Sequence, residues 1–86
     1  MVTESLRTTS SVNELLYRIS RLRTDADLVD GYARRLSEIA SALAGCAAAP
    51  DGTSDTLERR AAACGTAATQ LRTAADALLE HVRTVG

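Results

Sequence analysis

Between Val12 and Ala47 each apolar ridge residue follows the last by three or four positions. They are Val12, Leu15, Ile19, Leu22, Ala26, Val29, Ala33, Leu36, Ala40, Leu43 and Ala47, and the alternation never slips. Such a rhythm is a heptad repeat, and it places these residues in one stripe along a helix. Val12, Ile19, Ala26, Ala33 and Ala40 take the a position. Leu15, Leu22, Val29, Leu36 and Leu43 take d. Gly31 is the local objection, since glycine inside a helix costs about 1 kcal/mol relative to alanine. The repeat crosses it in phase, with Gly31 at the outward f position, so the spacing predicts one continuous helix.

The second half follows the same rule. Leu57, Ala61, Cys64, Ala68, Leu71, Ala75, Leu78, Val82 and Val85 keep the phase, with Ala61, Ala68, Ala75 and Val82 at a and Leu57, Cys64, Leu71, Leu78 and Val85 at d. Between the halves stand Gly45 and Ala47-Ala48-Ala49-Pro50-Asp51-Gly52-Thr53. Pro50 disfavours the helical conformation in Ala49, and Asp51-Gly52 carries turn chemistry. Ser11-Val12-Asn13-Glu14 fits a capping box for the first helix. Thr53 or Ser54 is the expected cap of the second, with Asp55 and Glu58 at its positive end. The expected helices span about 11–48 and 54–84, with a turn at about 49–53. The Thr/Ser-rich residues 1–10 are expected to form a flexible arm, leaving 11–86 as a single domain.

A short connection forces the helices antiparallel. Small a residues then meet mostly leucine d residues across the seam, so each layer pairs large with small. The expected fold is all-α: an antiparallel two-helix hairpin built as an Ala/Leu coiled coil. Its core is expected to hold Leu15, Leu22, Val29, Leu36, Leu43, Leu57, Leu71, Leu78 and Val82.

Composition says why such a hairpin needs company. Aromatic content is 2%, with neither Trp nor Phe, so the side chains that dominate most small cores are missing. Short chains of this kind lean on staples or association. The apolar stripe is also wider than one neighbour requires. Leu16 at e with Tyr32 and Ile39 at g widen it on the first helix, and Ala67 and Ala74 at g with Leu79 at e widen it on the second. That width suits a helix with two neighbours. These six residues are the candidate partner contacts. The expected partner is another helical hairpin, in a homodimer or heterodimer that completes a four-helix bundle.

The charge pattern narrows function. Every one of the ten basic residues is arginine, the net charge is -1, and the two signs alternate along both halves. A nucleic-acid binder normally shows a basic stripe or tail. Here Arg18, Arg21 and Arg23 stand among Glu14, Asp25 and Asp27, so no nucleic-acid partner is expected. Glu14–Arg18, Asp30–Arg34 and Asp55–Arg59 read as i,i+4 pairs on solvated faces. No apolar run reaches the ~18 residues of a membrane span, and residues 1–10 lack a leader's apolar region. The expected location is cytoplasmic, with any export by a leaderless route.

No catalytic, cofactor or metal residue is expected. Cys64 at a d position reads as a small core residue. Cys46 is expected to lie roughly 10 Å from it along the axis, at ~1.5 Å per residue, too far for a disulfide. His81, the one histidine, sits at g near the C-terminus, where it favours the helix dipole. Tyr17 at f is an exposed residue with no evident role.

An Ala-rich hairpin of just under a hundred residues that turns at its midpoint resembles the small helical proteins of the ESX (type VII secretion) family. Leu71-Arg72-Thr73-Ala74-Ala75-Asp76-Ala77-Leu78-Leu79 is similar to their second helices. The resemblance implies pairing of hairpins into four-helix bundles and export of the folded dimer. Two family marks are absent. Pro50-Asp51-Gly52 stands where the Trp-x-Gly turn belongs, and neither tyrosine has an acid four residues on, Tyr17 being followed by Arg21 and Tyr32 by Leu36. The expectation is therefore a non-enzymatic interaction protein, an ESX-like substrate or the partner of one. The alternative is a cytoplasmic adaptor binding a partner helix. A third option is a small all-helical enzyme of chorismate-mutase type, which shares arginines such as Arg18, Arg21, Arg34 and Arg35 but needs a lysine that this chain lacks.

Overall fold

The structure, a computed structural model, describes the backbone of residues 2–85 and the side chains of residues 11–85. Two helices account for nearly all of it: α1, Val2–Ala44, and α2, Thr53–Val85. They pack against each other along a rod with Cα extents of 71 × 15 × 12 Å. Helix α1 passes through Gly31 without interruption. A Cβ at Gly31 would meet nothing within 4 Å, so the glycine answers no steric demand there.

Both ends of α1 differ from the sequence expectation. The helix does not begin at the Ser11 capping box but at Val2. Residues 2–10 contain neither Pro nor Gly, so nothing in the backbone chemistry stops the helix running on. Glu14 turns forward to Arg18, whose Nη2 donates to Glu14 Oε1 at 2.9 Å. At the other end the helix stops at Ala44, four residues short of the expected boundary. Beyond it two tight turns take over. The Cys46 amide donates to the Leu43 carbonyl at 3.0 Å, and the Ala49 amide to Cys46 at 3.2 Å.

Gly52 opens α2 with φ of +84°, a conformation that costs a residue with a Cβ about 1 kcal/mol or more. Its carbonyl accepts from the Thr56 amide at 3.0 Å, the first helical bond. The backbone of Gly52 thus occupies the cap position expected of Thr53 or Ser54. The Ser54 hydroxyl is used elsewhere: it donates to the carbonyl of Ala40 at 2.9 Å, tying the first turn of α2 to the end of α1.

The centre of the interface lies on the a positions. Among the described residues the buried ones are Ile19, Ala26, Ala40, Ala61, Ala68 and Ala75, and every one is an a residue. Alanine lets two backbones approach closely, so the line of closest contact runs along it. Leucines at d cannot fit on that line and lean to one side. Accordingly Leu15, Leu22, Val29, Leu36, Leu43, Leu57, Leu71 and Leu78 of the expected core are all half-buried, as is its ninth member, the a residue Val82 near the end of α2. Ile19 is the one large side chain among the described residues that is buried.

Candidate partner-binding face

With about 100° between successive residues, e and b lie on one side of the a ridge, while d, g and c lie on the other. The two sides of the hairpin are closed in different ways.

Polar bridges cross the e/b side. Arg72 at e donates from Nη2 to Asp27 at 2.8 Å and reaches Asp30 from Nη1 at 2.6 Å. Hydrogen bonds to Asp27 and Asp30 hold the Arg72 guanidinium even more firmly protonated than an ordinary arginine. Arg23 Nη2 meets Asp76 at 3.4 Å, and the Ser37 hydroxyl meets Glu58 at 3.5 Å. Two of the expected i,i+4 pairs give way to other contacts. Asp30 pairs with Arg72 across the seam, and Arg59 donates from Nε to the Asp55 carbonyl rather than to its carboxylate. A longer reach across the hairpin competes with the local pair because both carboxylate and guanidinium can be satisfied twice. Beside Ser37 and Glu58 a shallow groove of ≈ 430 Å³ runs over Ala33 and Ala61, where two small a residues meet.

The d/g/c side carries no cross-helix ion pair among the described residues. Its ridge on α1 is formed by Leu28, Tyr32 and Ile39, which are 58%, 58% and 43% exposed. Half-buried leucines at d form the floor. On α2 the same side carries Ala63, Ala67, Ala74 and Ala77, of which Ala67 is half-buried and the others exposed. The bridges Asp30–Arg72 and Ser37–Glu58 fix the level of the helices. Tyr32 falls between these two bridges on α1, and midway between Glu58 and Arg72 on α2 lies the stretch holding Ala63 and Ala67, so the two are level. Towards the open end Leu22 and Leu78 come together in a depression of ≈ 260 Å³ rimmed by Arg18, Arg21 and Asp25.

Of the six expected contacts, Tyr32, Ile39, Ala67 and Ala74 fall together on this face. Leu16, 43% exposed, and the half-buried Leu79 are e residues and belong to the opposite edge. The heptad letters separate the two sets, but their shared apolar character had merged them. Leu28 was missed, since a c residue lies outside the stripe. Its signal was the four-residue spacing to Tyr32, which puts both on one face. Tyr17 at f points away from the partner helix and is 65% exposed.

Cys46 and Cys64 are both free, the first exposed in the turn that follows α1 and the second half-buried at its d position. His81 is exposed on α2. Among the described residues no three His, Cys, Asp or Glu side chains gather as a metal site would require. No described helix is long and apolar enough to cross a membrane.

Fold and face together define a class: an antiparallel helical hairpin, bridged by ion pairs on one side and, among the described residues, without a cross-helix ion pair on the other, where large apolar side chains are exposed. No protein-family model, no curated protein and no solved structure matches the chain, so the class rests on its own geometry.

Proposed function

We propose that this chain is a non-enzymatic interaction protein that associates with a helical partner through its d/g/c face. The observation that carries the reading is the exposure of Leu28, Tyr32 and Ile39 along the one side that no polar bridge crosses. A fully buried large apolar side chain contributes about 1.5–3 kcal/mol, so covering these three half-exposed ones is worth roughly 1 kcal/mol each. A hairpin whose buried set among the described residues is Ile19 and five alanines gains in proportion far more from that than a domain with a full core. Contiguous exposed apolar patches of this kind mark interaction sites.

The resemblance to small ESX proteins supplies the biological setting of the proposal: an exported helical hairpin or the partner of one. Its test is genetic. The chain should disappear from the culture filtrate, and remain in the cells, when the secretion ATPase of the host is removed. An unchanged distribution would separate association from secretion.

Association itself is tested by solution mass from light scattering, for the purified chain and for the chain recovered from host extract. The reading expects a mass above that of one chain in at least one of the two. It also expects Ile39→Glu to return that mass to one chain without loss of helicity. A single-chain mass in both preparations would overturn it.

A further inference from the structure

The occupant of the d/g/c face can be argued from the face itself. Its two halves are unlike in size. The α1 half stands up as Leu28, Tyr32 and Ile39, while the α2 half is low, built of Ala63, Ala67, Ala74 and Ala77. A second copy turned about an axis parallel to the rod sets each α1 ridge over the α2 alanines of the other copy. Every layer then joins large to small, the arrangement that fills space evenly. Turning the copy end over end instead would set ridge on ridge and alanine on alanine, leaving one half crowded and the other open.

Charge points the same way. Between Leu22 and Leu43 the g and c positions of α1 hold Asp25 and Arg35, and between Thr56 and Ala77 those of α2 hold one charge, Arg60. A face whose few charges are of both signs is complemented by another mostly apolar face rather than by an acidic or basic partner. Area is sufficient as well. From Leu22 to Leu43 the face runs about 30 Å, and two helices give it a width of about 20 Å. Two copies would cover on the order of 1,200 Å² before side-chain relief is counted, which reaches the range of stable complexes, about 1,200–2,000 Å².

We infer that the occupant is a second copy of this chain, packed with both turns at the same end and α1 of each copy lying on α2 of the other. This rests on the association reading and specifies its partner. The interface is isologous, each copy offering the same ridge and the same trough.

The test uses the purified chain and its own thiol. With Cys64→Ser, Cys46 beside the turn is the single site for a spin label. Light scattering should give twice the 9.1 kDa chain mass. The two labels should lie about 20–30 Å apart, since only the width of the helices separates them. In an end-over-end pair centred on the same ridge, each Cys46 would lie about 20 Å beyond the middle of the face in opposite directions, so the labels would be about 40 Å or more apart. Ile39→Glu and, independently, Tyr32→Glu should abolish the dimer while leaving helical circular dichroism in place. A dimer with the long label distance, or one that survives both substitutions, would overturn the proposal. A pure chain that stays single over a dilution series would also overturn it. The association reading would then stand only if a foreign partner were retained by wild type and lost by Ile39→Glu, so the two failures are told apart.

Discussion

The hydroxyl of Ser54, in the first turn of α2, donates to the carbonyl of Ala40 in α1 at 2.9 Å. Both residues occupy a positions, so the hydrogen bond continues the alanine ridge into the turn with a polar contact. It fixes the axial level of the helices at the point where the chain reverses. Ser54→Ala removes it while keeping helix propensity. The expected loss is about 0.5–1.5 kcal/mol, read as a lower melting temperature at about 4–8 °C per kcal/mol for a chain of this size. Thr53→Ala, beside it, should cost less. Equal effects would show that the cross-helix bond contributes nothing of its own.

Two glycines should respond with opposite sign. Gly31 lies mid-helix with open space where a Cβ would sit, so Gly31→Ala should stabilise the hairpin by about 0.5–1 kcal/mol. Gly52 has φ of +84°, and Gly52→Ala should destabilise it by about 1 kcal/mol or more. Chemical denaturation of the two variants measures both. A destabilised Gly31→Ala would mean the helix needs its glycine after all.

The half-buried d leucines should tolerate a charge poorly. Leu36→Arg or Leu71→Arg places a guanidinium beside the alanine ridge, at an expected cost of about 2–4 kcal/mol. Loss of helicity or of the associated mass is the readout. Unchanged melting together with unchanged mass would count against d-side packing in both the hairpin and its complex.

The ion bridge at Arg72 should matter modestly and in a salt-dependent way. Arg72→Gln leaves Asp27 and Asp30 without their shared partner, and the loss should shrink as salt screens exposed charges. Since the native contacts raise the pKa of Arg72 above its usual value, the stabilisation is fully present below that usual value. It is lost only as pH rises through the raised one, so from the side of the arginine it holds throughout the neutral range. Melting curves at low and high salt provide the check.

Cys46 and Cys64 are free thiols, and adding reductant should leave the melting temperature where it was. A fall of several degrees on reduction would reveal a bridge that the geometry does not contain.

The repeat from Val12 to Val85 determined, by itself, that the chain makes two helices, that they share one seam, and that the chain reverses between Gly45 and Thr53. Period and turn chemistry are local properties, so a linear reading finds them. It could not say how far each helix is rotated about its own axis. The heptad treats a and d as equal partners, and only close packing through Ala26, Ala40, Ala61, Ala68 and Ala75 makes a the centre and turns the leucines outward. Nor could it match Arg72 with Asp27 and Asp30, or separate Tyr32 and Ile39 from Leu16 and Leu79. Those relations depend on rotation and axial level together. The length of the turn and the bulk of the side chains at the ridge set both, which is why the bare face belongs to the tertiary structure.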